Sequence, residues 1–282
     1  MKRWVARVLG TAVGLALLTV WWESHSADVA DLALRRGGWL LAGVLAAAGA
    51  MALQWCRTAW LLKSESPQHL IAPLLIAHGL NVFLPSLLGD AYEVGAVAKR
   101  INRPVRAVLT RLLHRFATTL GALGILAAAA LSTRSPSHGF FLLSASIAGP
   151  ILFDRLTPRL GPLIQGEAMP GLGAPQTLAH LGLAVLQHAV SAFSLFCFGV
   201  AIDTAVSPAV AAAMLSMADL MTYLPVPLAG VGLHHWGVSA AAGILGAAPS
   251  ALVAFNHAMV VLLGGIGVGV GFAIRSPSRH NG

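Results

Sequence analysis

The chain has 282 residues, of which 57% are hydrophobic and only 10% are charged. Soluble domains usually carry about 25% charged residues, so this composition excludes a water-soluble enzyme and indicates a protein whose main solvent is the bilayer. The formal net charge of +8 does not point to nucleic acid, because the basic residues flank apolar segments and form no basic tract interleaved with aromatic residues.

Apolar segments follow one another along the whole chain. The first, 8–22, comes after a basic N-terminus and ends in a Trp-Trp pair, which favours a retained helix over a cleaved signal peptide. The remaining segments are 38–62, 70–98, 105–131, 139–153, 177–200, 208–247 and 249–274. The longest connection between them, 154–176, is too short for a soluble catalytic domain, so we expect none within these residues.

Segments 70–98 and 208–247 do not match an uninterrupted lipid-facing helix, because each contains Pro, Gly and an acidic residue. Segment 70–98 is too short for two crossings of roughly 20 residues each, but it is long enough for two half-helices. We therefore predict a re-entrant hairpin there. Segment 208–247 is long enough for either a deep hairpin or two complete helices, and the sequence leaves this open.

The basic residues predict how the segments lie. With a cytoplasmic N-terminus and both broken segments returning to the side they entered, twelve basic residues lie inside and three outside. The inside set is Lys2, Arg3, Arg7, Lys63, Lys99, Arg100, Arg103, Arg106, Arg155, Arg159, Arg275 and Arg279, and the outside set is Arg35, Arg36 and Arg134. Both termini are then cytoplasmic.

This arrangement gives the two halves of the chain, 1–131 and 139–274, opposite orientations. Such inverted repeats with broken helices at the midplane are typical of membrane transporters. We therefore predict an all-α polytopic protein, with residues 1–282 forming one transmembrane domain of about six transmembrane helices plus two broken re-entrant hairpins.

Polar residues inside the first half form one group of candidate ligand-binding residues. Those that we assign to a substrate site are Asn81, Pro85, Gly89, Asp90, Glu93, Arg111, His114 and Arg115. Arg111 and Arg115 lie four residues apart on one helix face, and the guanidinium fork suits a phosphate. We expect Asp90 and Glu93 to be their nearest partners. The alternative is that both arginines extend to the cytoplasmic interface as topology anchors, which is also the default interpretation of Arg57.

The second half supplies a matching group around its own broken segment. The candidate substrate-binding residues there are Tyr223, Pro225, Gly230, Gly232, His234, His235, Asn256 and His257. The Gly-Val-Gly turn at 230–232 would expose backbone amides that attract an anion. We expect no metal site, because neither a His-Glu-x-x-His motif nor a Cys cluster is present. No cofactor is expected, and packing is the simpler role for Cys56 and Cys197.

Two stretches resemble a known membrane family. The sequence HGLNVFLPSLLGD at 78–90, followed by LLHR at 112–115, and the sequence LPVPLAGVGLHH at 224–235 resemble the paired signatures of the flippase domain of lysylphosphatidylglycerol synthases. The resemblance covers about residues 40 to 274 and implies a bacterial inner-membrane lipid translocase without the synthase domain. The chain departs from the family pattern at His114 and His235, where that family favours Glu, and at Asn256-His257, near a usual Arg.

The leading hypothesis is therefore a transporter, not an enzyme, that moves a phospholipid or polyprenyl-phosphate-linked lipid between leaflets. One alternative is a membrane-embedded enzyme acting on a lipid phosphate or isoprenoid through its histidines. Another is a non-catalytic accessory protein for a glycosyltransferase or lipid synthase. Association with such an enzyme, or with a second copy of the chain, is left open by the sequence.

Overall fold

A computed structural model describes residues 36–63, 67–83, 87–133, 135–165, 171–204, 206–222 and 266–274. Within these ranges the chain is helical and contains no strand, which confirms the all-α class. The helices are α1 (Arg36–Leu62), a 3₁₀ turn (Pro67–Leu70), α2 (Ile71–Phe83), α3 (Leu87–Arg100), α4 (Val105–Ser132), α5 (Pro136–Gln165), α6 (Ala174–Ala201), α7 (Pro208–Thr222) and α8 (266–274).

Within the described ranges, four helices are long and apolar enough to cross a membrane, namely α1, α4, the first part of α5 and α6. The predicted boundaries of α1, α4 and α6 differ from the observed ones by at most three residues. The predicted end of the fifth segment at Phe153 is wrong, because α5 continues through Asp154 and Arg155 to Gln165. Charged residues end an apolar segment, but they do not end a helix that extends beyond the hydrocarbon. The predicted spans 8–22 and most of 208–247 and 249–274 lie outside the described residues.

The broken segment 70–98 forms two short helices, as predicted. Helices α2 and α3 have 13 and 14 residues, so each is about 20 Å long, which is less than the ~30 Å hydrocarbon core. They pack side by side, and Gly89 is needed at their contact because a Cβ there would collide with the Ala77 carbonyl and the Asn81 side chain. The return of both helices to one membrane face stays a prediction.

The helix ends group into two opposite ends of the bundle. One core cluster joins the C-terminal end of α1, the start of α2, the end of α3 and the start of α4. We call this the basic end, because it carries Lys63, Lys99, Arg100, Arg103, Arg106, Arg155 and Arg159. At the other end, Arg36 at the start of α1 pairs with Asp203 after α6, with an N–O distance of 2.8 Å. The described members of the predicted inside set thus lie at one end of the bundle, and Arg36 of the predicted outside set lies at the other.

Helix α4 lies at the centre of the described bundle and packs against α3, α5, α6 and α7. It approaches α5 closely at Gly121, where an added Cβ would lie 2.7 Å from both the Ser146 carbonyl oxygen and the Pro150 ring. Because both obstacles are rigid, a side chain here requires the two helices to separate.

The Gly121→Ala variant is therefore expected to lower the free energy of unfolding by about 1–3 kcal/mol, through overpacking of the α4–α5 contact. Gly182→Ala on α6 is the matched control, because its added Cβ would have no atom within 4 Å beyond the local backbone of its own helix. It should be neutral or stabilising by up to about 1 kcal/mol. Unfolding in detergent micelles measures both, and equal effects would contradict the close α4–α5 approach.

Candidate functional site

Buried polar side chains concentrate where α1, α3, α4 and α6 meet. We call this group the arginine cluster, and it consists of Arg57, Thr58, Glu93, Arg115, Thr118, Thr119, His180 and Gln187. On α4 the spacing of Arg115, Thr118 and Thr119 places all three side chains on one helix face. The cluster therefore lies between helices, not at the lipid surface.

Arg115 and Glu93 form a two-pronged ion pair between α4 and α3. Nη1 of Arg115 lies 2.5 Å from Oε1 of Glu93, and Nη2 lies 2.7 Å from Oε2. Nη1 also donates to the hydroxyl of Thr58 on α1 at 2.9 Å. The Glu93 side chain is only 2% exposed and that of Arg115 13%. This confirms the expectation that Glu93 is a partner of Arg115.

The depth of this pair separates it from an interfacial anchor. Arg115 is the eleventh residue of α4, so it lies about 15 Å along the helix axis from Val105. That distance is about half the thickness of the hydrocarbon core. The guanidinium is paired with Glu93 between α3 and α4 and its side chain is only 13% exposed, so the structure does not support the anchor interpretation of Arg115.

Arg57 links three helices from inside the bundle. Its Nη1 donates to Oε1 of Gln187 on α6 at 2.5 Å, and its Nη2 donates to the hydroxyls of Thr118 and Thr119 on α4, each at 3.2 Å. The residue is 1% exposed. The interpretation of Arg57 as an interfacial anchor is wrong, because its side chain points across the bundle and not along α1 toward the headgroups.

His180 extends the cluster toward the basic end. Its Nδ1 lies 2.8 Å from the Thr118 hydroxyl, and the ring stacks on Trp60 with centroids 5.4 Å apart and planes inclined by 15°. His180 is fully buried, whereas Trp60 is 42% exposed. Trp60 therefore forms the boundary between the buried cluster and the protein surface.

Asn81, Gly89 and Asp90 form a separate contact within the α2–α3 hairpin. Nδ2 of Asn81 donates to Oδ1 of Asp90 at 3.0 Å. The expectation that Asp90 is a partner of the arginines is wrong, because its carboxylate faces α2 across the hairpin while Glu93, one turn later, faces α4. This contact fixes how the two short helices pack.

Arg111 and His114 lie nearer the basic end, beside Asp154 of α5. Nδ1 of His114 is 3.7 Å from Oδ1 of Asp154, which is too long for a hydrogen bond. Asp154 itself accepts from the backbone N–H groups of Leu172 and Gly173 at 2.5 and 3.0 Å, and so holds the start of α6. Arg111 interacts electrostatically with Asp154, so the two predicted phosphate-binding arginines have different surroundings.

The second predicted group lies outside the described residues, as does Pro85 of the first. Those second-half residues are Tyr223, Pro225, Gly230, Gly232, His234, His235, Asn256 and His257. Between α6 and α7, Nδ1 of His188 lies 3.4 Å from Oδ2 of Asp219. Among the described residues, no three His, Cys, Asp or Glu side chains are grouped to hold a metal ion.

Sequence reasoning did not place Thr58, Thr118, Thr119, His180 and Gln187 in a site with Arg57. The spacing of the two threonines from Arg115 could have indicated that they belong to the site, because residues three and four positions further along a helix lie on the same face as the first residue. The partners on α1 and α6 carry no such signal, because they come from distant parts of the chain.

The helices and the buried charges together define an all-helical, membrane-embedded protein with an ion pair inside its bundle. No protein-family model matches the chain. No curated protein matches it either.

Proposed function

We propose that the protein is a flippase-like lipid transporter that moves a phosphorylated or amphiphilic lipid between the leaflets of a bacterial inner membrane. The observation that carries the proposal is the buried Arg115–Glu93 pair, which joins the half-length helix α3 to the membrane-length helix α4. Ionisable groups are costly at membrane depth, and they typically mark a substrate pathway.

Arg115 has the geometry that a lipid phosphate requires. Its two terminal nitrogens donate in parallel to the two oxygens of Glu93, and the same fork binds two oxygens of a phosphate. In the proposed mechanism, Glu93 occupies the fork in the lipid-free state and the headgroup phosphate replaces it during transport. Arg115 then keeps an anionic partner throughout, which avoids the cost of a buried unpaired cation.

The α2–α3 hairpin is the element that would make this exchange. Its helices span only part of the hydrocarbon, and α3 carries Glu93 on the face toward α4. A displacement of α3 would remove Glu93 from the fork, while the bonds of Arg57 to Gln187, Thr118 and Thr119 keep α1, α4 and α6 together. A headgroup that also carries an amine would give Glu93 a new partner.

The resemblance of 78–90, 112–115 and 224–235 to the flippase-domain signatures supports the same proposal. In this arrangement the basic end faces the cytoplasm, as the positive-inside rule predicts. The two broken segments would meet as the inverted halves of one transport path.

The test is leaflet exchange of fluorescent lipids in proteoliposomes that contain the full chain. We expect faster exchange than in empty vesicles for at least one of phosphatidylglycerol, phosphatidylethanolamine and a polyprenyl phosphate. No acceleration for any of these headgroups would refute the transport proposal. Chemical conversion of a lipid during the assay would instead support the enzyme alternative.

A further inference from the structure

A cavity of about 360 Å³ lies at the basic end, beside the arginine cluster. It is formed by the C-terminal turn of α1, the 3₁₀ turn and the start of α6, and its lining includes Trp60, Lys63, Pro67, Leu172 and Gln176. None of these residues belongs to the predicted site.

The described lining residues are mostly apolar, and Lys63 is the cation among them. Trp60, Pro67 and Leu172 supply apolar surface, Gln176 supplies an amide, and Lys63 supplies an exposed ammonium group. A tryptophan with a half-exposed ring is typical of the interface between hydrocarbon and headgroups. A glycerophospholipid headgroup fits this lining, because its apolar carbon atoms match the apolar surface and its negative charge matches the ammonium group of Lys63.

Lys63 adopts a backbone conformation that is uncommon for lysine. Lys63 ends α1 in the left-handed region with φ of +47°, and its N–H donates to the Trp60 carbonyl at 3.1 Å. The other described non-glycine residues with positive φ are Asn102 and Asp203, which are types that tolerate this conformation. Glycine or asparagine would fit position 63 with less strain, so a Lys63→Asn substitution removes the charge without disturbing the backbone.

We propose that this cavity binds the phosphodiester of an anionic glycerophospholipid from the leaflet at the basic end, with Lys63 as its cation. Six further basic residues at this end attract anionic lipid to the same leaflet. Behind the cavity, Trp60 stacks on His180, which contacts Thr118 of the arginine cluster. The assignment of this cavity as the access point to the cluster rests on the proposed transport, whereas lipid binding itself does not.

The experiment uses the full chain in vesicles that contain phosphatidylglycerol with a photoreactive group near its phosphate. Digestion and mass spectrometry should locate cross-links on the peptides that contain Trp60 and Leu172. Excess phosphatidylglycerol should compete, whereas phosphatidylcholine and inorganic phosphate should not. Lys63→Asn, which suits the left-handed backbone, should lower labelling about fivefold, as expected for the loss of one ion pair.

Two variants provide the matched controls. Lys63→Arg keeps the charge and should keep the labelling. Lys99→Gln removes an exposed basic residue of the same end that does not line the cavity, and it should keep the labelling as well. Equal labelling by phosphatidylcholine, competition by inorganic phosphate, or unchanged labelling of Lys63→Asn would overturn the assignment. Labelling without leaflet exchange would contradict the transport proposal alone, and exchange without labelling would contradict this site alone.

Discussion

Arg115→Gln is expected to destabilise the protein by about 3–5 kcal/mol and to abolish leaflet exchange. The substitution leaves the Glu93 carboxylate inside the bundle, where its side chain is 2% exposed, without the guanidinium that neutralises it. Removing one partner of a buried ion pair is costly because the remaining charge keeps its desolvation penalty and loses its attraction. Unfolding in detergent and exchange in proteoliposomes measure the two effects separately.

The double variant Glu93→Gln/Arg115→Gln separates folding from function. Two neutral amides carry no buried charge and can hydrogen-bond to each other and to Thr58, so most of the lost stability should return. Exchange should remain absent, because an amide cannot replace the charged fork that binds phosphate. A double variant that folds and still transports would show that the Arg115–Glu93 pair has only a structural role.

The Arg115–Glu93 pair was predictable because the cost of burying a charge is a strong local rule. An arginine in the middle of an apolar helix needs an anionic partner, and the broken segment before it offered only Asp90 and Glu93. The choice between these two was not predictable, because it depends on which face of α3 packs against α4. That packing is fixed by Gly89 and Asn81 within the hairpin.

The inward direction of Arg57 was not predictable from α1 alone. In a soluble protein, the apolar side of a helix shows which face is buried. In a membrane protein, the face toward the lipid is apolar as well. Cys56 is exposed and Thr58 is buried on the same turn, so polarity does not identify the packed face. Arg57 also lies only about 8 Å from the end of α1, within reach of the interface, so anchoring was the simpler interpretation.

The same reasoning accounts for the error at the end of α5. Asp154, Arg155 and Arg159 look like the start of a loop when only hydropathy is considered. In the fold, Asp154 turns inward to hold the start of α6, while the two arginines are exposed at the basic end. A helix therefore continues where the apolar segment has already ended.

Arg57→Lys is expected to lower the free energy of unfolding by about 2–3 kcal/mol and to slow leaflet exchange at least about tenfold. Lysine keeps the charge, but its single ammonium group cannot reproduce a planar fork that reaches Gln187 on one side and Thr118 and Thr119 on the other. Hydrogen bonds to a charged group contribute about 1.5–3 kcal/mol each, and an ammonium that keeps the contacts to the two threonines loses the one to Gln187. The transport defect follows because α1, α4 and α6 no longer hold Arg115 in place.

An interfacial anchor would behave differently. Lysine extends to the headgroups as well as arginine does, so an anchoring Arg57 would tolerate this substitution. Arg103→Lys at the exposed basic end is the matched control and should change neither stability nor exchange. A double-mutant cycle of Arg57→Lys with Gln187→Leu should give a coupling energy of about 1–2 kcal/mol, because the two side chains share one hydrogen bond. Additive effects in that cycle, together with normal exchange by Arg57→Lys, would support the interpretation of Arg57 as an interfacial anchor.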